Sequence, residues 1–260
     1  MALQERAVSG QAAELPEPWR SSAVTVVLPT YNEAANLPVI TEALLALPLT
    51  GLRILVADDN SPDGTGDVAD QLASKYGSAK VTVLHRPGKQ GLGRAYVDGM
   101  CHALDAGAEY IVQMDSDLSH APEYLPQMLG TLLATNADVV IGSRYVSGAS
   151  LAKEWSLQRK ALSGFANTYV RVLLRLGIRD VTAGFKLWRS SALRTIDVAS
   201  VQSNGYSFQV EMNYRTIQHG LKVVELPIHF ADRRDGESKM SIKVQLESAL
   251  MPFVLRRRAR

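Results

Sequence analysis

The chain has 260 residues, 46% of them hydrophobic and 21% charged, which suits an ordinary globular core. A formal net charge of +2 gives no whole-molecule attraction to nucleic acid, so no nucleic-acid partner is expected and any basic patch must be local. The single cysteine, Cys101, excludes an internal disulfide framework and fits a reducing compartment.

Residues 1–20 carry Pro16 and Pro18 and no apolar segment, so they predict a mobile tail rather than a signal peptide. From Ser21 onward, apolar runs alternate with amphipathic segments. Strands are predicted at Val24–Leu28, Arg53–Ala57, Val81–Leu84, Tyr110–Met114 and Asp138–Ile141. Helices are predicted between them, near Asn36–Ala46, Thr65–Tyr76, Gly93–Ala106 and Pro122–Ala134. Continuous apolar strands alternating with helices indicate an α/β fold with a mostly parallel sheet flanked by helices. No charge-free apolar run approaches the roughly 18–20 residues that cross a bilayer.

Polar residues follow the strands. Pro29, Tyr31 and Glu33 follow the first, Asp58, Asp59 and Asp63 the second, Asp115 and Asp117 the fourth, and Gly142 and Arg144 the fifth. Ligands of open α/β sheets bind outside the carboxyl ends of the strands, so these clusters mark a candidate site. Asp115 and Asp117 stand two apart and point to the same side if the chain stays extended. Two aspartates suit a hard cation such as Mg2+ or Mn2+, which takes its remaining oxygens from water and phosphate. The alternative is a helix cap, with Asp117 or Ser119 capping a helix that begins near Pro122. The five histidines lack paired metal-ligand spacing, which argues against zinc. Asp58 and Asp59 can accept hydrogen bonds from a nucleobase or a ribose hydroxyl. There is no Walker-type phosphate loop, and the Gly91–Tyr96 stretch lacks the third glycine of a dinucleotide fingerprint.

Seven segments in order, VVLPTYNEAANLP, ILVADDNSPDGT, GLGRAYVDGM, MDSDLSH, GSRY, DVTAGFKLWR and FADRRDGESKMS, resemble the family 2 glycosyltransferases of GT-A fold. Among these the chain is similar to the dolichyl-phosphate mannosyltransferases. The resemblance covers about Val24–Ser241 and implies one GT-A domain over 21–240, followed over 241–260 by an amphipathic helix and basic tail. It implies mannose transfer from GDP-mannose to dolichyl phosphate, with Mg2+ or Mn2+ as cofactor. It places Pro29, Tyr31 and Glu33 around the nucleotide and Ala57 and Asp59 near base and ribose. Asp115, Ser116 and Asp117 stand where the family has Asp-Ala-Asp, holding metal and diphosphate, and Ser119 aligns with a position that helps hold the metal in some relatives. Arg144, Arg233 and Lys239 match phosphate-contacting residues, with Arg159 as a further acceptor-side candidate. The resemblance further implies that the metal-bound Asp117 and these basic residues carry catalysis. Glu211 is read as a structural or positioning carboxylate.

A lipid phosphate is already anionic near neutral pH, so direct attack on the sugar needs no general base. Two stripes suit a membrane surface: Phe165, Tyr169, Val172, Leu173 and Leu176, and then Ile242, Leu246, Ala249, Leu250, Phe253 and Val254 before an arginine-rich end. The chain stops at Arg260 without the transmembrane helices of some relatives, which resembles the subtype anchored by small transmembrane subunits. The implied setting is the cytoplasmic face of the endoplasmic reticulum membrane, or the cytoplasmic membrane in a bacterium. Rival readings are a bacterial polyprenyl-phosphate mannosyltransferase, a dolichyl-phosphate glucosyltransferase and a non-catalytic nucleotide-binding scaffold.

Overall fold

The computed structural model describes residues 15–152, 157–230 and 251–257. Its centre is a seven-stranded sheet. The first five strands are β1 (Val24–Thr30), β2 (Leu52–Asp58), β3 (Val81–His85), β4 (Tyr110–Gln113) and β5 (Val139–Ser143). Each falls on a predicted apolar run, because an unbroken apolar sequence is what a strand covered on both faces requires. Every residue of β1, β4 and β5 is buried, whereas β3 at one edge is buried only at Val81.

β6 (Ser150–Leu151) and β9 (His229–Phe230) form a separate two-stranded pair, while β7 (Lys186–Arg189) and β8 (Val223–Pro227) join the main sheet. The strand order is β3-β2-β1-β4-β7-β5-β8. β7 is antiparallel to both β4 and β5, and the remaining pairings of this sheet are parallel.

The pleat divides the apolar side chains between two layers. Val26, Leu28, Ile54, Val56 and Val112 face α1 (Leu37–Leu45), α2 (Thr65–Tyr76) and α4 (Tyr124–Thr135). Val27, Leu55, Ile111 and Ile141 face α3 (Leu92–Asp105), α5 (Leu157–Leu174), α6 (Ser190–Thr195) and α7 (Gly205–Gln218). Residues 15–20, expected within the tail, are ordered: Leu15 packs on the first layer, and the Arg20 carbonyl accepts the Thr50 N–H at 2.9 Å. Among the described residues no helix is long and apolar enough to cross a membrane.

The first apolar stripe divides in the structure. Phe165 and Val172 are each 70% exposed and Leu162 is 52% exposed, but Leu176 lies past the end of α5 and is buried. In the helical segment 251–257, Leu255 docks on the core while Phe253 and Val254 remain exposed. Ile242, Leu246, Ala249 and Leu250 lie outside the described residues.

Candidate active site

The loops leaving β1, β2 and β4 are stitched into one edge by hydrogen bonds. Backbone N–H groups of Asn32, Glu33 and Ala34 donate to Ser61 Oγ (3.1 Å), Thr65 Oγ1 (2.9 Å) and Asp63 Oδ2 (3.2 Å). The Glu33 carboxylate accepts from Asn36 Nδ2 at 2.8 Å. Ser116 Oγ donates to the Pro29 carbonyl at 3.1 Å, tying the β4 loop to the end of β1. The two adjacent aspartates after β2 have different surroundings. Asp58 organises the loop, accepting from Thr30 Oγ1 (2.9 Å), Ser61 Oγ (2.6 Å) and the Ser61 N–H (3.0 Å). Asp59 is buried against the Arg86 guanidinium, whose Nε donates to Asp98 Oδ2 on α3 at 2.9 Å. Tyr31 lies beneath the Lys89 ammonium, 3.7 Å from its ring centroid, and Ala57 is fully buried.

The Asp115–His120 turn is held at every step. Tyr96 Oη on α3 donates to Asp115 Oδ1 at 2.7 Å, and the Asp115 N–H donates to His120 Nδ1 at 3.2 Å. Burial, reinforced by the Asp115 charge, pushes the Tyr96 phenol well above its ordinary value, so it remains a donor. The Ser119 hydroxyl and N–H both donate to Asp117 Oδ1, at 2.6 and 3.1 Å. Leu118 between them adopts φ +63°, a left-handed conformation uncommon for a residue with a branched side chain. Asp117 thus closes its own turn. It does not cap α4, whose start at Glu123 has no side-chain cap. The Ser119 side chain supports the carboxylate it was expected to accompany.

Asp115 and Asp117 come together with Asp59, Pro29, Tyr31 and Ser116 along one edge, as their positions after parallel strands require. Among the described residues no three His, Cys, Asp or Glu side chains cluster as a metal-binding group. Two oxygen-bearing carboxylates with no thiolate still suit a hard cation that completes its shell with water and phosphate.

Arg144 sits farther along the edge, after β5. Its Nε and Nη2 form a bidentate pair with Asp180 (both 2.8 Å), and Nη2 also donates to Thr182 Oγ1 at 2.8 Å. Burial alone would raise the Asp180 carboxyl, but the Arg144 charge and hydrogen bonds hold it below its ordinary value. The backbone carrying Asp180 is fixed in turn, because Glu225 accepts the N–H groups of Arg179 (2.7 Å) and Asp180 (2.9 Å). Arg233 and Lys239 lie outside the described residues, as does the side chain of Arg159.

Glu211 is buried on α7. It accepts from the Ser203 N–H (3.1 Å) and from Arg215 Nη2 (2.6 Å), securing the loop that packs against the start of α3. Beneath the β4 turn lies a polar group that sequence reading missed. Lys186 Nζ donates to Gln209 Oε1 at 2.9 Å, and Gln113 Nε2 donates to the same oxygen at 2.8 Å. Burial pushes the Lys186 ammonium down to about 7, with Asp180 opposing the shift.

This edge carries paired aspartates after the fourth strand of a mixed sheet, at the carboxyl ends of its parallel strands. The sequence profile described as Glycosyl transferase family 2 matches residues 25–197, and the chain belongs to that family. It is 48% identical over 217 residues to the polyprenol monophosphomannose synthase of Mycolicibacterium smegmatis, covering 83% of this chain and 80% of that protein. It is 45% identical over 218 residues to the undecaprenyl-phosphate mannosyltransferase of Micrococcus luteus, covering 84% and 87%. Among solved structures, the fold matches mannosyl-3-phosphoglycerate synthase from Rubrobacter xylanophilus at TM-score 0.63 and 18% identity, over 92% of this chain and 74% of that one. It also matches the mannosyltransferase PcManGT from Pyrobaculum calidifontis, solved with GDP-Man and Mn2+, at TM-score 0.62 and 16% identity, over 91% and 64%. The expected GT-A fold and glycosyltransferase class are therefore both observed.

Proposed function

We propose that the chain transfers a mannosyl group from GDP-mannose to the phosphate of a membrane polyprenyl lipid, inverting the anomeric carbon. One observation carries this reading: Asp59, Asp115 and Asp117 gather at one sheet edge in a chain 48% identical to a polyprenol monophosphomannose synthase. The relatives support the bacterial polyprenyl-phosphate alternative over the dolichol and endoplasmic reticulum setting.

In this reading Asp59 stands near the nucleoside, and Asp115 and Asp117 would hold Mg2+ or Mn2+ for the donor diphosphate. When bound, the cation stabilises the charge that develops as the diphosphate departs. A lipid phosphate oxygen attacks the anomeric carbon from the face opposite the leaving group. The new carbon–oxygen bond forms as the bond to the diphosphate breaks. The nucleophile carries no proton to remove, so the site needs no general base. Arg144, with its guanidinium oriented by Asp180, donates a hydrogen bond to the acceptor phosphate. Arg233 and Lys239 add positive charge on the donor side. Phe165, Val172, Phe253 and Val254 rest on the membrane that carries the lipid, a peripheral attachment through exposed apolar side chains.

The test supplies labelled GDP-mannose, GDP-glucose or UDP-glucose to the purified chain with vesicles containing undecaprenyl or dolichyl phosphate. Labelled mannose is expected in the lipid extract, dependent on a divalent cation. Labelling from UDP-glucose alone would move the assignment to a glucosyltransferase. No labelled lipid from any donor would sink the enzymatic proposal.

A further inference from the structure

Tyr96 is fully buried, yet its hydroxyl ends on a carboxylate at the candidate site. A buried phenol needs a hydrogen-bond partner, and many other groups in a core can serve. Here the partner is Asp115 Oδ1 at 2.7 Å, nineteen positions away in sequence. The ring has no freedom to leave, because it stacks on Phe208 with centroids 5.7 Å apart and planes 3° from parallel.

The helix that carries Tyr96 is anchored at its start. A Cβ added to Gly93 would lie 2.4 Å from the Ser203 carbonyl oxygen, so α3 meets that loop in direct backbone contact. The Arg94 N–H donates to Asn204 Oδ1 at 3.3 Å, and Glu211 holds the Ser203 N–H at 3.1 Å. This chain of contacts runs from Glu211 through the 203–204 loop and α3 to Asp115. Gly184 borders the same carboxylate: a Cβ added there would lie 3.5 Å from Oδ2 and 3.8 Å from Oδ1, ordinary contact distances that leave the carboxylate uncrowded.

We propose that Tyr96 is a positioning residue for sugar transfer, holding Asp115 Oδ1 so that Oδ2 is presented to the cation and diphosphate of the donor. The proposal rests on the reading of Asp115 given above. Its consequence is that the geometry of Asp115 is set before any ligand arrives, by a hydroxyl that touches neither donor nor acceptor.

The test is Tyr96→Phe, which keeps the stacked ring and removes one oxygen. Binding of Mn2+ with GDP is measured by calorimetry on the purified full chain, beside thermal unfolding and steady-state transfer. The expected result is roughly tenfold weaker Mn2+–GDP binding, the equivalent of one hydrogen bond of about 1.4 kcal/mol. A lower kcat should accompany it, with the KM for lipid phosphate unchanged. Asp115→Asn and the double variant complete a cycle. In the Asp115→Asn background, Tyr96→Phe should cause no further loss, because the two residues act through one contact. Wild-type Mn2+–GDP binding and turnover in Tyr96→Phe would overturn the proposal. So would equal losses with and without Asp115, which would mark Tyr96 as part of the general packing. If Asp115→Asn itself binds Mn2+–GDP normally, the underlying reading of Asp115 fails with it.

Discussion

Replacing Lys186 with methionine should remove a pH dependence of stability that the wild-type chain carries. The Lys186 ammonium is fully buried, and the burial lowers it from 10.5 to about 7. Below about pH 7 both folded and unfolded chains hold the proton, so this group gives no slope there. Between about 7 and 10.5 the unfolded chain holds the proton and the folded chain does not, so stability rises with pH. One proton corresponds to about 1.4 kcal/mol per pH unit, or about 2 kcal/mol across one and a half units. Lys186→Met has no proton to exchange. Its unfolding free energy should therefore fall behind that of the wild type by this amount as pH is raised from 7.5 to 9.0. The Gln209 carbonyl stays partnered through Gln113 at 2.8 Å, so the substitution strands no acceptor. Urea unfolding followed by circular dichroism at several pH values provides the measurement. Parallel free-energy curves for the two proteins would refute the reasoning, because they would mean that Lys186 titrates in the fold as it does in the open chain.

Asp180→Ala should destabilise the fold by about 3–5 kcal/mol, because it removes a bidentate, buried carboxylate from the nearly buried Arg144 guanidinium; denaturant titration reads this directly. In the wild type the Asp180 contribution is complete above its ordinary value of 3.8 and is lost as pH falls through its lowered folded value, so the destabilising effect of Asp180→Ala should shrink in strongly acidic buffer. Asp117→Asn should reduce transfer about a hundredfold and shift the Mn2+ requirement upward, with little change in melting temperature; an unchanged metal titration curve would exclude Asp117 from cation binding. Phe165→Asp with Val172→Asp should cut co-sedimentation with lipid vesicles severalfold while leaving unfolding unaffected, since both side chains are 70% exposed.

The parallel core of the fold was legible because β1, β2, β4 and β5 each contain at least three consecutive apolar residues, and their observed bounds lie within two residues of the predicted ones. β7 was hidden. Its four residues begin with Lys186 and end with Arg189, and a charged residue at either end reads as a loop until the sheet is seen to bury the lysine. β8 was missed for a related reason, since Glu225 and Pro227 interrupt its apolar character at the sheet edge. At the site, the spacing of Asp115 and Asp117 and their place after a strand were readable from local sequence. Their supports were not. Tyr96 lies on a helix that precedes β4, Arg86 follows β3, and Asp180 meets Arg144 from 36 positions away. Such partners become visible only when topology brings distant segments to one edge.

The reversed direction of β7 divides the site by chain polarity. The residues proposed for the donor leave the C-terminal ends of β1, β2 and β4, whereas Asp180, Thr182 and Gly184 arrive before β7 begins. A single linker between α5 and β7 therefore supplies the counter-charge of Arg144 and the glycine that borders Asp115. In the proposed reading, the donor and acceptor contacts therefore come from separate stretches of the chain, joined at one strand boundary. A chimera exchanging only residues 157–184 should carry the acceptor preference of its source while keeping the nucleotide preference of its host.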